Sequence, residues 1–273
     1  MSNQSTLENS FHNVHYLESG GVSHLYLAQE RISGQQVILK TLKDDFRADP
    51  IRRERFRQEA LLQSRVRHPA VVQVLDYFED GNRQWIVLEY AGAETLWQYL
   101  KSRTSPHDPA NGEFCRSVCE SLAVVHQAGI IHNDIKTLNF LIGADGTLKL
   151  TDFGEAVEIE ATHNDVPLKT LWGSPLYTAP EVSAGARPQM ASDVYSAGII
   201  LYQIFAGKLP FFSQDAEELT RLHRTEAPLA LRALNPEVTP ELEAIVLRAL
   251  RKNPAERFPN GSDLLAAINR VSA

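Results

Sequence analysis

The chain reads Ile131-His132-Asn133-Asp134-Ile135-Lys136-Thr137-Leu138-Asn139 and, after a short interval, Thr151-Asp152-Phe153-Gly154. In the first segment, a lysine follows Asp134 by two positions and an asparagine follows it by five. In the second segment, Asp152 lies between apolar Leu150 and Phe153. Phosphoryl transfer needs a carboxylate to take a hydroxyl proton, a cation to hold a phosphate, and amide and carboxylate oxygens to hold a metal ion. The two segments therefore predict phosphoryl transfer.

The order and spacing of these segments resemble the catalytic and magnesium loops of the eukaryotic-type protein kinases. The similarity is greatest to the catalytic domains of bacterial serine/threonine kinases of this type, and it runs from about residue 13 to residue 271. It implies an α+β, bilobal protein kinase-like fold. That fold has a small N-lobe of antiparallel β-sheet with one helix, and a larger helical C-lobe.

Composition excludes several other classes of protein. At 273 residues, with an apolar share of 43%, the chain is long enough for two ordinary lobes. A formal net charge of −7 argues against a nucleic-acid binder, which would need a basic surface. The N terminus shows no signal-peptide pattern, and the longest apolar run, Ala197 to Phe205, falls short of the ~20 residues that span a bilayer. We expect a cytoplasmic protein without a membrane segment.

The two cysteines, Cys115 and Cys119, lie four positions apart in a helical pattern. On a helix they would share one face, so a metal or redox pair is conceivable. Two thiols without further ligands make a poor metal site, and buried structural cysteine is the favoured reading.

The sequence pattern, together with the family resemblance, divides the chain into a short polar segment and one domain with two lobes. Residues 1–12 are polar, and we expect them to be flexible; residues 13–271 form the kinase-like domain. Its N-lobe covers about 13–90, its hinge 89–92 and its C-lobe about 93–271, and a ligand is expected in the cleft of such a fold. The N-lobe pattern predicts five strands and one charged helix from Ile51 to Val66. The C-lobe has helical patterns over Thr95–Lys101, Gly112–Ala128, Ser192–Ala206, Ala216–Leu222, Pro240–Leu250 and Ser262–Val271, with one short strand pair around residues 143–146.

A segment with two adjacent glycines, residues 17–25, looks like a nucleotide-binding loop between the first two strands. Small residues let backbone amides approach phosphate oxygens. The resemblance assigns Gly20, Gly21, Ser23 and Leu25 to the nucleotide, although Glu18 and Ser23 stand where the family has glycine. As an isolated pattern, the two glycines could equally form a bare tight turn.

Lys40 closes the third strand, where a lysine usually just extends to solvent. With Glu59 on the following helix, it resembles the ion pair that directs a lysine to the α- and β-phosphates. Around the adenine, the resemblance implies Ile38, Leu88, and the backbone of Glu89 and Ala91. Ile38 replaces a small alanine of the family, which could narrow the pocket.

The resemblance gives several residues of the opening segments a role. Asp134 orients the acceptor hydroxyl and takes its proton, and Lys136 neutralises the γ-phosphate. Asn139 and Asp152 hold Mg²⁺, with Mn²⁺ as a possible substitute. We expect His132 to support the loop structurally and Phe153 to pack inward.

Residues 173–181 resemble the end of a kinase activation segment, which serves to dock peptides. The resemblance pairs Glu181 with Arg257 and places Ser174 near the acceptor. Asp193 is expected to brace the catalytic loop, although it also suits a helix-capping acid.

Asn133 stands where the family usually has an arginine that pairs with a phosphate on the activation segment. We therefore expect activity that does not depend on phosphorylation of Thr170.

Three functions are compatible with these motifs. The favoured one is a protein serine/threonine kinase that transfers the γ-phosphoryl group of ATP to protein hydroxyls, its own included. The alternative is a pseudokinase that acts as a nucleotide-binding or scaffold module. A kinase of small molecules is disfavoured by the peptide-docking segment. Protein substrates and ATP are the expected partners, while dimerisation cannot be read from the sequence.

Overall fold

The computed structural model describes residues 6–103, 106–160 and 175–271. The chain divides into two compact units, Met1–Ala91 and Gly92–Ala273. This division falls within the segment 89–92, where the sequence pattern changes from strands to helices. The first unit is rich in β-sheet and the second in helix, which confirms the expected α+β class.

The first unit is built on a five-stranded antiparallel sheet with the strand order β1-β2-β3-β5-β4. Its strands are β1 (Phe11–Ser19), β2 (Ser23–Glu30), β3 (Gln36–Leu42), β4 (Val74–Asp80) and β5 (Arg83–Glu89). Helix α1 (Thr6–Ser10) precedes the sheet, a 3₁₀ turn covers Asp44–Phe46, and helix α2 (Pro50–Ser64) follows β3. Alternation along β3 buries Val37 and Leu39 on one face, where they join a cluster with Trp85.

Helix α2 begins where its capping signals stand. The side chain of Asp49 accepts hydrogen bonds from the backbone amides of Ile51 and Arg52, and Pro50 occupies the first turn, where it needs no donor. The helix ends at Ser64, earlier than the predicted Val66. Among the residues that α2 buries is Glu59, a charge that requires a partner.

Ordered structure reaches further toward the N terminus than the expected boundary at residue 13. Residues 6–10 form α1, and Phe11 opens β1 with only 6% of its surface exposed. Leu7 packs against the same core cluster, and the ring of Phe11 stacks on Phe78 at 6.0 Å between centroids. These two apolar side chains help to attach the polar segment to the sheet.

Thr41, next to Lys40 in β3, is fully buried, and its Oγ1 has no hydrogen-bond partner in the part of the chain that the structure describes. A buried hydroxyl without a partner loses its hydrogen bonds to water and gains no hydrogen bond within the protein in return. We expect Thr41→Val, which keeps the β-branched shape, to raise the free energy of unfolding by about 1 kcal/mol. Urea denaturation followed by circular dichroism measures it, and an unchanged or lower midpoint would contradict the expectation.

The second unit is mainly helical. Its helices are α3 (Leu96–Ser102), α4 (Asn111–Gln127), α5 (Pro180–Ser183), α6 (Met190–Ala206), α7 (Ala216–Thr225), α8 (Pro240–Ala249) and α9 (Gly261–Val271), and 3₁₀ turns cover Thr137–Asn139, Leu231–Ala233 and Pro254–Glu256. Its strands are β6 (Glu94–Thr95), β7 (Ile130–Ile131), β8 (Phe140–Ile142), β9 (Leu148–Leu150) and β10 (Val157–Glu158). They pair as β6-β8-β9 and as β10-β7. Helix α6 is buried along nearly its whole length, and α4 packs against both α6 and α9.

Both cysteines lie on α4, buried and free, as expected for structural residues. Hydrogen bonding to Cys115 and burial raise the pKa of the Cys119 thiol well above its usual value, so this thiol is unreactive at neutral pH.

In the described parts of the chain, every helix is too short or too polar to cross a membrane.

Candidate active site

The loop between β7 and β8 carries Asp134, Lys136 and Asn139, and the structure brings all three side chains together. Lys136 Nζ lies 2.5 Å from Asp134 Oδ2. Asn139 Nδ2 donates to the same Oδ2 at 3.1 Å and to the backbone oxygen of Asp134 at 2.9 Å. The 3₁₀ turn over Thr137–Asn139 reverses the chain and returns the asparagine to the aspartate. Asp134 is thus fixed by a cation and an amide, with its side chain 12% exposed.

Asp193, near the start of α6, binds the backbone of this loop. Its Oδ2 accepts a hydrogen bond from the amide of His132 at 2.7 Å, and its Oδ1 accepts one from the amide of Asn133 at 2.8 Å. Its carboxylate is almost fully buried, so these charge-assisted bonds replace its hydration. Asp193 therefore braces the loop, as the resemblance implied.

His132 supports the loop as a neutral imidazole. Its Nδ1 accepts from the amide of Asp134 at 3.3 Å, and its Nε2 lies 3.3 Å from the carbonyl oxygen of Thr151. A single proton on Nε2 satisfies both bonds. Complete burial lowers the pKa of His132, which keeps the ring uncharged. Its ring packs edge-on against Phe153 at 4.7 Å, so His132 is structural, as expected.

Asp152 follows β9 in a conformation that non-glycine residues rarely adopt. Its φ is +65°, and Asn133 in the first segment has φ +62°. Such backbone strain concentrates at functional sites, where the surrounding structure enforces it. Here the side chain of Phe153, 1% exposed, anchors the backbone directly after Asp152. On the other side, the amide of Thr151 donates to the backbone oxygen of Asn139 at 2.9 Å. The two expected metal ligands are therefore linked through adjacent backbone.

The donor chemistry of these two residues fits a hard divalent cation. The amide nitrogen of Asn139 is committed to Asp134, so its Oδ1 is the atom that remains for a ligand. Asp152 supplies a carboxylate. Oxygen ligands of this kind suit Mg²⁺ or Mn²⁺ and are unsuited to softer metals.

In the first unit, Lys40 Nζ lies 2.5 Å from Glu59 Oε1. Their side chains are 9% and 6% exposed, so neither charge could remain there without a counter-charge. The pair joins β3 to α2 and fixes the direction of the lysine. Glu54, on the same helix, is exposed and pairs with Arg57.

The turn between β1 and β2 contains the two adjacent glycines. The amide of Gly20 donates to the carbonyl oxygen of Ser23 at 2.9 Å, and a Cβ atom added at Gly21 would meet nothing within 4 Å. Neither glycine has a positive φ, so the turn does not require them. The nucleotide-binding loop therefore stays a prediction of the family resemblance. Glu18 is exposed.

The other residues expected at the nucleotide lie on or just after β2, β3 and β5. Leu25 pairs with Lys40 across β2 and β3, and Ile38 pairs with Leu88 across β3 and β5. Leu88 is 6% exposed, whereas Ile38 is half-buried. The side chain of Glu89 accepts from the amide of Gln73 at 2.9 Å, which fixes the last residue of β5, and Ala91 is buried.

The end of the activation-segment motif is anchored by an ion pair. Arg257 donates through both terminal nitrogens to the two oxygens of Glu181, at 2.8 and 2.7 Å, as the resemblance implied. Thr170 and Ser174, the other residues singled out in this region, lie outside the described residues.

Two sets of contacts were not predicted from the sequence. His126, buried at the end of α4, accepts from the amide of Gly261 at 2.9 Å and contacts Asp193 at 3.1 Å. Thr137 and Tyr177 share a hydroxyl hydrogen bond. Residues distant in sequence supply all these partners, so local patterns carry no signal for them.

Comparison with known proteins gives the family. The model of the protein kinase domain matches residues 11–265. The serine/threonine-protein kinase PknB of Mycolicibacterium smegmatis is 35% identical over 258 residues, which cover 92% of this chain and 41% of the relative. PrkC of Bacillus subtilis is 33% identical over 250 residues, which cover 91% and 38%. A probable PknB of Lactococcus lactis is 30% identical over 250 residues, which cover 91% and 40%. The chain thus spans about two fifths of the length of these curated relatives.

Proposed function

This chain belongs to the protein kinase family, and we propose that it transfers the γ-phosphoryl group of ATP to serine and threonine hydroxyls of proteins, its own included. The observation that carries the proposal is the cluster of Asp134, Lys136 and Asn139, whose side chains lie within hydrogen-bonding distance of one another. Asp193 supports the cluster by accepting a hydrogen bond from the amide of Asn133, the residue before Asp134. Protein kinases use ATP and a divalent metal ion. We propose Mg²⁺ in this role, with Mn²⁺ able to replace it.

The reaction is an in-line displacement. Asp134 orients the acceptor hydroxyl and takes its proton as the new oxygen–phosphorus bond forms. The bond between the γ-phosphorus and the bridging oxygen breaks, and ADP leaves with that oxygen. Lys136 stabilises the γ-phosphoryl charge, and Lys40, oriented by Glu59, holds the α- and β-phosphates. A metal ion held by Asn139 and Asp152 neutralises phosphate charge when it is bound.

No observation on the described residues favours the pseudokinase alternative. Lys40, Glu59, Asp134, Asn139 and Asp152 are all present, and a module that only binds would not need Asp134.

Two buried free cysteines and the use of ATP are consistent with action in the cytoplasm, which we propose as its location.

The test is transfer of labelled γ-phosphate from ATP to the chain itself and to myelin basic protein, followed by phosphoamino-acid analysis. We expect label on serine and threonine in Mg²⁺ or Mn²⁺, and none after chelation with EDTA. Label on tyrosine alone would contradict the proposed specificity. A folded chain that transfers nothing in either metal would favour the binding module.

We further propose that activity does not require phosphorylation of Thr170. Asn133 brings no positive charge to the position before Asp134, and its side-chain amide donates to the carbonyl oxygen of Glu155 at 3.3 Å. A phosphate on the activation segment therefore lacks the arginine that it usually meets there. We expect Thr170→Ala to retain kcat within about threefold of wild type, equivalent to less than ~0.7 kcal/mol. Loss of most of the rate by a folded Thr170→Ala chain would disprove this.

A further inference from the structure

Thr137 directly follows Lys136 in the catalytic loop, and its side chain is completely buried. Its Oγ1 lies 2.8 Å from the hydroxyl oxygen of Tyr177, which is itself 6% exposed. Tyr177 belongs to the segment that leads into α5 and Glu181. One buried hydrogen bond thus joins the loop that carries Asp134 to the segment that the family uses to dock peptides.

The direction of this bond follows from its neighbours. The Tyr177 hydroxyl donates to Gln203 Oε1 in α6 at 3.0 Å, and a phenol has one proton to give. Thr137 is therefore the donor to Tyr177. Burial raises the pKa of Tyr177, so the phenol keeps that proton throughout the neutral range. The result is a chain of hydroxyl bonds from Thr137 through Tyr177 to Gln203.

Tyr177 is held unequally on its two sides. Helix α6 binds it twice, through Gln203 and through Ser196 Oγ, which donates to the Tyr177 carbonyl oxygen at 2.7 Å. Among the side-chain hydrogen bonds seen for Tyr177, only the bond from Thr137 comes from the catalytic loop. Without the Thr137 hydroxyl, the segment stays on α6 but loses this direct bond to the loop.

We propose that Thr137 is a positioning residue that sets the docking segment at Tyr177 against Asp134 and Lys136, and so governs use of the protein acceptor. This inference rests on the proposed function and deepens it. A valine would fill the same space without burying a hydroxyl, so packing alone does not account for threonine here. The hydroxyl bond is the feature that valine would lack.

The test compares Thr137→Val, Thr137→Ser and wild type in steady-state transfer from ATP·Mg²⁺ to myelin basic protein. We expect Thr137→Val to raise KM for the acceptor about 5- to 10-fold, the loss of roughly one neutral hydrogen bond, with KM for ATP unchanged. Thr137→Ser keeps the hydroxyl and should restore the acceptor KM to within about twofold of wild type.

Tyr177→Phe adds a second arm. It removes the same bond and the one to Gln203, so its acceptor KM should rise at least as far. Because the Thr137–Tyr177 bond can be lost only once, Thr137→Val with Tyr177→Phe should have no larger effect than Tyr177→Phe alone. The matched control is Ser183→Ala, which removes a local hydroxyl bond to Ala179 in the same segment and should leave both KM values unchanged.

The outcomes separate the two proposals. Wild type without any transfer disproves the proposed function, and this inference fails with it. Transfer by wild type with unchanged acceptor KM in Thr137→Val overturns only this inference. Parallel rises in both KM values, with a lowered unfolding midpoint and no rescue by serine, would show a structural role alone and would also overturn it.

Discussion

Asp134→Asn is expected to lower kcat for phosphoryl transfer by about 10²- to 10⁴-fold, the usual effect of a positioned general base and orienting group. Asparagine has the same shape and can still accept hydrogen bonds from Lys136 and Asn139, so the loop geometry should persist. It has no basic oxygen to take the hydroxyl proton. KM for ATP should change little, because the proposed role of Asp134 is on the acceptor hydroxyl.

The measurement is the initial rate of labelled γ-phosphate transfer under saturating ATP·Mg²⁺, with the unfolding midpoint checked beside it. Asp145→Asn is the matched control, since Asp145 is an exposed carboxylate in the turn between β8 and β9 that forms local hydrogen bonds with Thr147. It should be as active as wild type. A rate for Asp134→Asn within a few-fold of wild type would remove Asp134 from the mechanism.

The sequence could predict the centre of this site because its geometry is local. Asp134, Lys136 and Asn139 lie within six positions of one another, and one 3₁₀ turn suffices to bring them together. Glycine and proline signals and hydrophobic periodicity likewise located the described helices of the second unit to within a few residues, apart from the four-residue α5, which was not predicted. For Lys40 with Glu59, and for Glu181 with Arg257, the pairing came from the family resemblance.

What the sequence did not reveal depends on tertiary contacts. Strands β6, β7 and β10 have two residues each, too few for any alternation to be recognised. Helix α1 exists because Leu7 and Phe11 reach the core, which polar composition concealed. His126 and Thr137 have ordinary surroundings in sequence, and their contacts appear only in the folded chain. There α6 and α9 supply Asp193 and Gly261 to His126, and the segment before α5 supplies Tyr177 to Thr137.

Arg257→Met is expected to lower the free energy of unfolding by about 3–5 kcal/mol, the cost of breaking a buried ion pair. Arg257 is 2% exposed, and besides Glu181 it donates to the carbonyl oxygens of Ala191, Arg251 and Lys252. Methionine fills much of the volume but leaves a largely buried carboxylate without the counter-charge of Arg257, and three carbonyl oxygens without its donors. Urea or thermal denaturation followed by circular dichroism measures the loss, which is a large share of ordinary domain stability.

The matched control is Arg221→Met on α7. Arg221 also makes a bidentate pair, with Glu218, but both side chains are about half exposed. Water and salt screen such a pair, so its loss should leave the unfolding midpoint unchanged. If the two methionine variants lost similar stability, burial would not be the source of the Arg257 effect.

The remaining variants separate geometry from charge. Arg257→Lys keeps the charge but cannot form the forked bond to both oxygens of Glu181, so we expect it to lose most of what methionine loses. Arg257→Met with Glu181→Gln removes the isolated charge and should be less destabilised than the sum of the two single variants. Additive losses would contradict a coupled pair.

Because Glu181 also accepts from Ser192 Oγ in α6, the same pair holds the end of the segment containing Tyr177 to the buried core of the second unit. Loss of Arg257 should therefore raise the acceptor KM even at temperatures where the chain stays folded, whereas Arg221→Met should not.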